Sequence, residues 1–219
     1  MIDTVIFDMD GLMFDTERLY LKIFAEVLEK HGISNPKDLK SIITGASEKD
    51  ILKSISVNVG KDKNISVDDL AIEVIGLMHK YIDEFGVPVK PGLYELLKYL
   101  KENDYKIGVA SSSRRETVDH NLKKAEVIKF IDVIICGDEV KNCKPDPEVY
   151  LIAANQLLSS VDSCLVLEDS IKGIEAASRA SMKVICVPDL EVPDDEHIKL
   201  TEAVYKSLDE VIFYLENVE

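Results

Sequence analysis

Five short stretches of the chain are apolar at nearly every position: Thr4–Phe7, Lys106–Ala110, Val133–Cys136, Cys164–Leu167 and Lys183–Val187. Unbroken apolar runs of this kind predict strands covered on both faces, as in a parallel sheet. Between the later runs the apolar residues recur at helical spacing, over Gly92–Glu102, Glu116–Ala125, Pro147–Leu158 and Ile171–Ala180. Strand and helix in alternation predict an α/β fold with right-handed crossovers. Ligands of such sheets bind beyond the carboxyl ends of the strands. An acidic surface loop is expected at Asp189–Glu196 and a closing helix at Lys206–Leu215.

The alternation fails once. From Thr16 to Val87 the periodicity is helical and strand signal is almost absent. Thr16–Lys30 carries a stripe of Leu19, Ile23, Phe24, Val27 and Leu28, and Asp50–Ile55 and Asp68–Phe85 continue the pattern. Residues 16–87 therefore read as a helical insert after the first strand, leaving a core of residues 1–15 and 88–219. Its boundaries, Phe14-Asp15-Thr16 and Gly86-Val87-Pro88 with Pro91 beyond, suit crossings between two bodies. Asp15 and Thr16 are expected to cap the first helix of the insert.

Composition narrows the partners. Lys and Arg number 26 against 41 Asp and Glu, a net charge of −15. Such a chain repels nucleic-acid backbones and anionic membrane surfaces, so neither is an expected partner. It repels phosphate esters too, so a phosphate site needs local inversion by a metal or fixed dipoles. The start, MIDTVIFDMDG, lacks the basic and apolar regions of a signal peptide. No apolar run reaches the roughly 20 residues of a membrane span. Cys136, Cys143, Cys164 and Cys186 form no CxxC pair. They read as reduced thiols of a cytoplasmic protein, with Cys136, Cys164 and Cys186 buried in apolar runs. His31, His79, His120 and His197 fall outside every motif and are expected in surface or structural roles.

The chemistry gathers where the strands end. The polar sets are Asp8-Met9-Asp10-Gly11, Ser111-Ser112-Ser113, Lys144-Pro145-Asp146-Pro147 and Glu168-Asp169-Ser170. Each has a plain reading alone. Asp-x-Asp-Gly closes a strand, Ser113 caps a helix, and Lys144 is a surface lysine. Asp146 and Pro147 cap and start a helix, and Glu168-Asp169 is an acidic helix start. In a parallel sheet, however, all four meet at one edge. There Asp8 can attack phosphorus and Asp10 can donate and accept the proton. Mg²⁺ would take Asp8, Asp169 and a backbone carbonyl of Asp10, with Glu168 acting through water. The serine run offers hydroxyls and N–H groups to an anion, and Lys144 supplies a point charge. Four carboxylates against one ammonium admit a phosphate dianion only beside a divalent cation.

These residues resemble a known family. DMDGLMFDT (Asp8–Thr16), VASSS (Val109–Ser113), KPDP (Lys144–Pro147) and LEDSIKGIEAA (Leu167–Ala177) resemble the four motifs of the haloacid dehalogenase superfamily. The insert resembles the C1-type cap of its phosphatase and β-phosphoglucomutase branch. The resemblance implies a Rossmann-like core, Mg²⁺ dependence, a phosphoaspartate intermediate and a cis Lys144–Pro145 bond. It also implies that Ser111 and the Ser112 amide hold the transferring phosphoryl group, and that Gly45 and Ser47 of the cap loop bind phosphate. An acid at Asp10 favours phosphoryl transfer over carbon–halogen cleavage. Tyr20 stands where mutase-like members carry His, and Glu48 where they carry a phosphate-gripping Arg. The expected function is an Mg²⁺-dependent phosphatase of a small phosphorylated metabolite, a sugar phosphate or nucleotide, acting as a monomer. The alternative is a β-phosphoglucomutase-like sugar phosphomutase. A phosphoacceptor signalling domain would need neither Asp10 nor the insert.

Overall fold

The computed structural model describes residues 1–33 and 66–217. Six strands form one parallel sheet: β1 (Thr4–Phe7), β2 (Lys106–Ala110), β3 (Val133–Ile135), β4 (Cys164–Glu168), β5 (Lys183–Cys186) and β6 (Ala203–Val204). Their order is β3-β2-β1-β4-β5-β6. The chain winds outward from β1 to β3, crosses back to β4, and winds outward the other way. The reversal lies between β1 and β4, where an α/β sheet opens a crevice for ligands.

The unbroken apolar strands have a direct explanation. Val5 and Phe7, Ile107 and Val109, Leu165 and Leu167, and Ile185 pack into one apolar cluster. The residues between them, Ile6, Val166, Val184 and Cys186, pack into another on the opposite face. Both faces are covered, so both phases of the strand's two-residue period must be apolar. The five expected strands are present, β1 and β2 with the expected bounds and β3, β4 and β5 with the last residue shifted by one. β6 was not expected. It is a two-residue edge strand joined to β5 by the pairs Ile185↔Ala203 and Cys186↔Val204, too short for a periodic signal.

Among the described residues the helices are α1 (Thr16–Lys30), α2 (Val67–Phe85), α3 (Leu93–Glu102), α4 (Arg115–Lys124), α5 (Glu148–Gln156), α6 (Ile171–Arg179), α7 (Asp195–Ile198) and α8 (Glu210–Asn217). The one-turn α7 lies where only loop was expected. The Asp194 carboxylate starts it by accepting from the N–H groups of Glu196 and His197 at 3.0 Å each. The expected helix at Asp50–Ile55, and Gly45, Ser47 and Glu48, lie outside the described residues.

α1 and α2 pack against each other through Phe24, Val27 and Leu28 on one side and Leu70, Val74 and Ile82 on the other, all buried. Their apolar cluster continues through Met9, Leu12, Met13 and Phe14 to the sheet. The two crossings between sheet and helices run side by side. Asp15 N–H donates to Pro88 O at 2.8 Å and Lys90 N–H to Met13 O at 3.0 Å. The capping expected of Asp15 and Thr16 is not what the structure shows. Asp15 sits at the cap position but accepts from the Arg18 guanidinium at 2.8 Å instead of from a helix N–H. The Thr16 hydroxyl donates to Asp10. Both side chains meet a charged partner that outcompetes a neutral N–H.

Candidate active site

β1 ends at Phe7, and its next residue, Asp8, donates its N–H to Leu167 O on β4 at 3.0 Å. The chain then turns at Gly11, whose φ is +89°. A Cβ built there would lie 2.2 Å from Asp169 Oδ2. Only glycine lets this turn close against the Asp169 carboxylate. That contact, with the β1–β4 pairing, brings Asp8, Asp10 and Asp169 to one place.

Lys144 enters from the loop before α5 and is buried. Its ammonium donates to Asp8 Oδ1 at 2.5 Å, Glu168 Oε1 at 2.7 Å and Ala110 O at 3.1 Å, which uses all three protons. It also stands 4.7 Å from the ring centroid of Tyr150. The Lys144–Pro145 peptide is cis. Glu168 is wholly buried and fully engaged. Its Oε1 also accepts from Tyr150 O–H at 2.6 Å. Its Oε2 accepts from Asp169 N–H at 3.0 Å and from Ser170 N–H and hydroxyl at 3.1 and 3.0 Å. A Cβ on Gly173 would fall 1.7 Å from Glu168 Oε1, so α6 can start this close only with glycine there. With its oxygens committed to five partners, this carboxylate positions Lys144.

Asp10 is held by hydroxyls. Oδ1 accepts from Thr16 at 2.6 Å, and Oδ2 from Ser113 at 2.8 Å and Ser111 at 3.2 Å. The Ser111 oxygen in turn accepts from Ser113 N–H at 3.0 Å. One expectation changes. Ser113 does not cap α4, because its hydroxyl serves Asp10; Arg115 N–H finds Asp138 Oδ1 at 3.0 Å instead. Ser111 is buried, and its hydroxyl donates to Asp10. Asp146 does accept from a helix N–H, that of Glu148 at 3.0 Å, although α5 begins one residue past Pro147.

The electrostatics follow from burial. Desolvation pushes the Asp8 carboxyl well above its usual range, against the pull of Lys144, and the charges of Glu168 and Asp10 push the same way. Asp169 is raised by its burial and then by Glu168, Asp8 and Glu17. Burial opposes ionisation of Glu168 as well, but Lys144 and the hydrogen bonds outweigh it and hold this carboxyl low. Desolvation works against the Lys144 charge, yet Asp8 and Glu168 hold its pKa well above the ordinary value. Carboxylate oxygens of Asp8, Glu168 and Asp169 lie within 4.8 Å of one another. Asp169 Oδ2 is buried and has no partner among the described residues. Crowded oxygen donors, one of them orphaned, fit a hard divalent cation.

Above these groups opens a cleft of about 120 Å³, roughly ten times the space a single ordered water needs. Its floor is Asp8, Asp10, Lys144 and Asp169. Three helical stripes form its walls: Thr16, Glu17 and Tyr20 of α1; Ile75, Met78, His79 and Ile82 of α2; Arg114, Thr117 and Asn121 at the start of and along α4. Ser112 and Ser113 line it too, whereas Ser111 does not. The histidines were expected away from the chemistry, and His79 corrects that. Its signal was available: it falls in register with Ile75, Met78 and Ile82, a polar break in an otherwise apolar stripe. Tyr150 and Asn121 carried no such mark.

The family model described as haloacid dehalogenase-like hydrolase matches residues 5–187, from β1 past β5. A phosphorylated carbohydrates phosphatase of Thermotoga maritima is 32% identical over 197 residues, covering 84% of each chain. A validoxylamine A 7′-phosphate phosphatase of Streptomyces hygroscopicus is 29% identical over 211 residues, 96% of each. Among solved structures, β-phosphoglucomutase of Clostridium difficile superposes with a TM-score of 0.80 at 25% identity, covering 99% of this chain and 96% of that one. No helix of the described residues is long and apolar enough to cross a membrane. With a matched model over most of its length and phosphatases as curated relatives, the chain belongs to the haloacid dehalogenase-like hydrolases.

Proposed function

We propose that the chain is an Mg²⁺-dependent phosphatase of a small phosphorylated metabolite, of the phosphorylated-carbohydrate class named for its Thermotoga relative, working through a phosphoaspartate. The observation that carries this reading is Asp8: a carboxylate at the floor of a cleft, gripped by a buried ammonium and flanked by a second, hydroxyl-bound carboxylate. Residues 16–87 act as the cap over the core of 1–15 and 88–219.

Asp8 attacks phosphorus and the ester P–O bond breaks, forming an acyl phosphate on Asp8. Asp10 gives its proton to the departing alkoxide. It then takes a proton from the water that attacks the same phosphorus, releasing orthophosphate and restoring Asp8. The hydroxyls of Thr16, Ser111 and Ser113 keep Asp10 at the cleft through both half-reactions. Lys144, locked by Glu168 and Tyr150, opposes the charge that grows on phosphorus. The Ser112 amide and Ser111 complete the phosphoryl cradle, and Gly45 and Ser47 serve it from the cap loop. Asp8, Asp169 and the Asp10 carbonyl would hold Mg²⁺, which supplies charge neutralisation for the carboxylates and the phosphoryl oxygens. All four cysteines are free thiols, which supports a cytoplasmic enzyme, and we take a monomer as its working state.

The mutase reading has the Clostridium structure in its favour. Against it, the cleft wall carries Tyr20 where mutase-like members carry His. Phosphate release from a panel of sugar phosphates and nucleotides, with and without Mg²⁺, tests the proposal. Release only with the metal is expected; silence across the panel would overturn it. Glucose 6-phosphate formed from β-glucose 1-phosphate and a bisphosphate activator, without free phosphate, would replace it with the mutase.

A further inference from the structure

Asn121 has no exposed surface, and neither its amide oxygen nor its amide nitrogen has a partner among the described residues. A buried side-chain amide is almost always hydrogen-bonded. Asn121 lies on the same stripe of α4 as Thr117, one turn further along, and both line the cleft. Across from them on α2, His79 lines the same cleft, and its Nε2 is buried and likewise without a partner among the described residues. The two helices are joined beside this point. The His79 and His120 rings sit 4.4 Å apart, and His120 Nε2 and Lys124 meet Asp83 of α2 at 3.0 and 2.6 Å. Both residues therefore line the cleft, from two helices joined beside it.

We propose that Asn121 and His79 form a subsite for the hydroxyl groups of the leaving alcohol, which selects polyhydroxylated phosphate esters over apolar ones. This deepens the phosphatase reading and rests on it for the identity of the ligand. The chemistry matches. The amide offers two donors and one acceptor, and the imidazole nitrogen is either, by tautomer. A sugar or polyol hydroxyl is both donor and acceptor, so neighbouring hydroxyls satisfy both side chains. An alkyl or aryl leaving group would leave three polar atoms of the cleft wall without partners. A site built to bond hydroxyls rejects analogues that lack them. Ile75, Met78 and Ile82 between these polar points pack on the carbon skeleton.

Asn121→Leu keeps the volume and removes the amide; His79→Phe removes the imidazole nitrogens from a partly exposed position. The test uses Asp8→Asn protein with Mg²⁺, so that turnover does not consume the ligand. Glucose 6-phosphate, glycerol 3-phosphate and orthophosphate are each titrated by calorimetry. The expected result is that at least one sugar or polyol phosphate binds more tightly than orthophosphate, and that each substitution cuts this preference by tenfold or more. A merely structural residue would lower the melting temperature and weaken all ligands together. An unchanged preference in both variants, or the lack of any preference in the parent, would overturn the inference. Phosphate release by the native chain is scored separately. No release from any ester defeats the phosphatase reading whatever the preferences, whereas release with unchanged preferences defeats only the subsite.

Discussion

Lys144 is the residue on which the site's charge balance rests. Its ammonium is surrounded by Asp8, Glu168 and Ala110 O, with the Tyr150 ring behind it. Removing one partner of a buried ion pair leaves the other charge uncompensated. Lys144→Met should therefore cost about 3–5 kcal/mol in urea unfolding, besides abolishing turnover. Asp8→Asn is different. It keeps shape and a hydrogen-bond acceptor for Lys144 but removes the nucleophile. Phosphate release should fall by about 10³-fold or more while the urea midpoint holds within the range of a surface change. Release at the native rate would end the proposed mechanism. Asp8, Asp10, Lys144 and Asp169 were legible because each ends an apolar run or sits in a Pro-flanked motif. The grip of Glu168 on Lys144 was not legible. Nothing about its neighbours in the chain shows that Tyr150 and Lys144, both distant from it in sequence, would occupy its oxygens.

At the level of single elements, the turn after β1 and the start of α6 depend on missing side chains. Gly11→Ala would force an alanine to φ +89° and press a methyl into Asp169. A strained backbone of this kind costs of order 1–3 kcal/mol. The expected phenotype is a lower melting temperature together with a higher Mg²⁺ requirement in phosphate release, since the carboxylate itself is displaced. The helical pair of the insert stands on Phe24, which is fully buried and stacked at 5.8 Å on Tyr20. Phe24→Ala should cost about 3–5 kcal/mol, read by denaturant titration, and should raise KM because Tyr20 lines the cleft. The periodicity of α1 was plain, since its stripe is strict. The capping roles assigned to Asp15, Thr16 and Ser113 failed together. Short polar side chains at helix starts choose between a local N–H and another polar group: for Asp15 this is Arg18, one turn along α1, and for Ser113 it is Asp10, which only the folded chain brings near.

For the molecule as a whole, metal and protons should both register in stability. A cation bound only by the folded state adds about 2.7 kcal/mol at a hundred times its dissociation constant. Mg²⁺ should raise the melting temperature, chelator should reverse this, and Asp169→Asn should abolish the difference. His79 sits between sheet domain and helical insert, facing His120, Glu116 and Asp83. Burial, then the charge of His120, holds its pKa below the ordinary 6.5. The unfolded chain thus binds a proton that the folded chain releases. The contribution of His79 to stability is full above pH 6.5 and falls as the pH drops through the window beneath it. His79→Gln should flatten that slope in pH-dependent melting; an unaltered slope would assign it to other groups.

From its residues alone the chain declared a two-face-covered parallel sheet, a helical insert after β1, and four polar sets at the strand ends. Those features are periodic or local, written in neighbours a few positions apart. The fold alone settled which hydroxyls hold Asp10, what saturates Glu168, and that His79 and Asn121 meet across one cleft. These contacts join residues up to a hundred or more positions apart. They depend on the order β3-β2-β1-β4 and on where α2 comes to rest against α4. Packing fixes such geometry through many weak contacts at once, and no single stretch of sequence contains them.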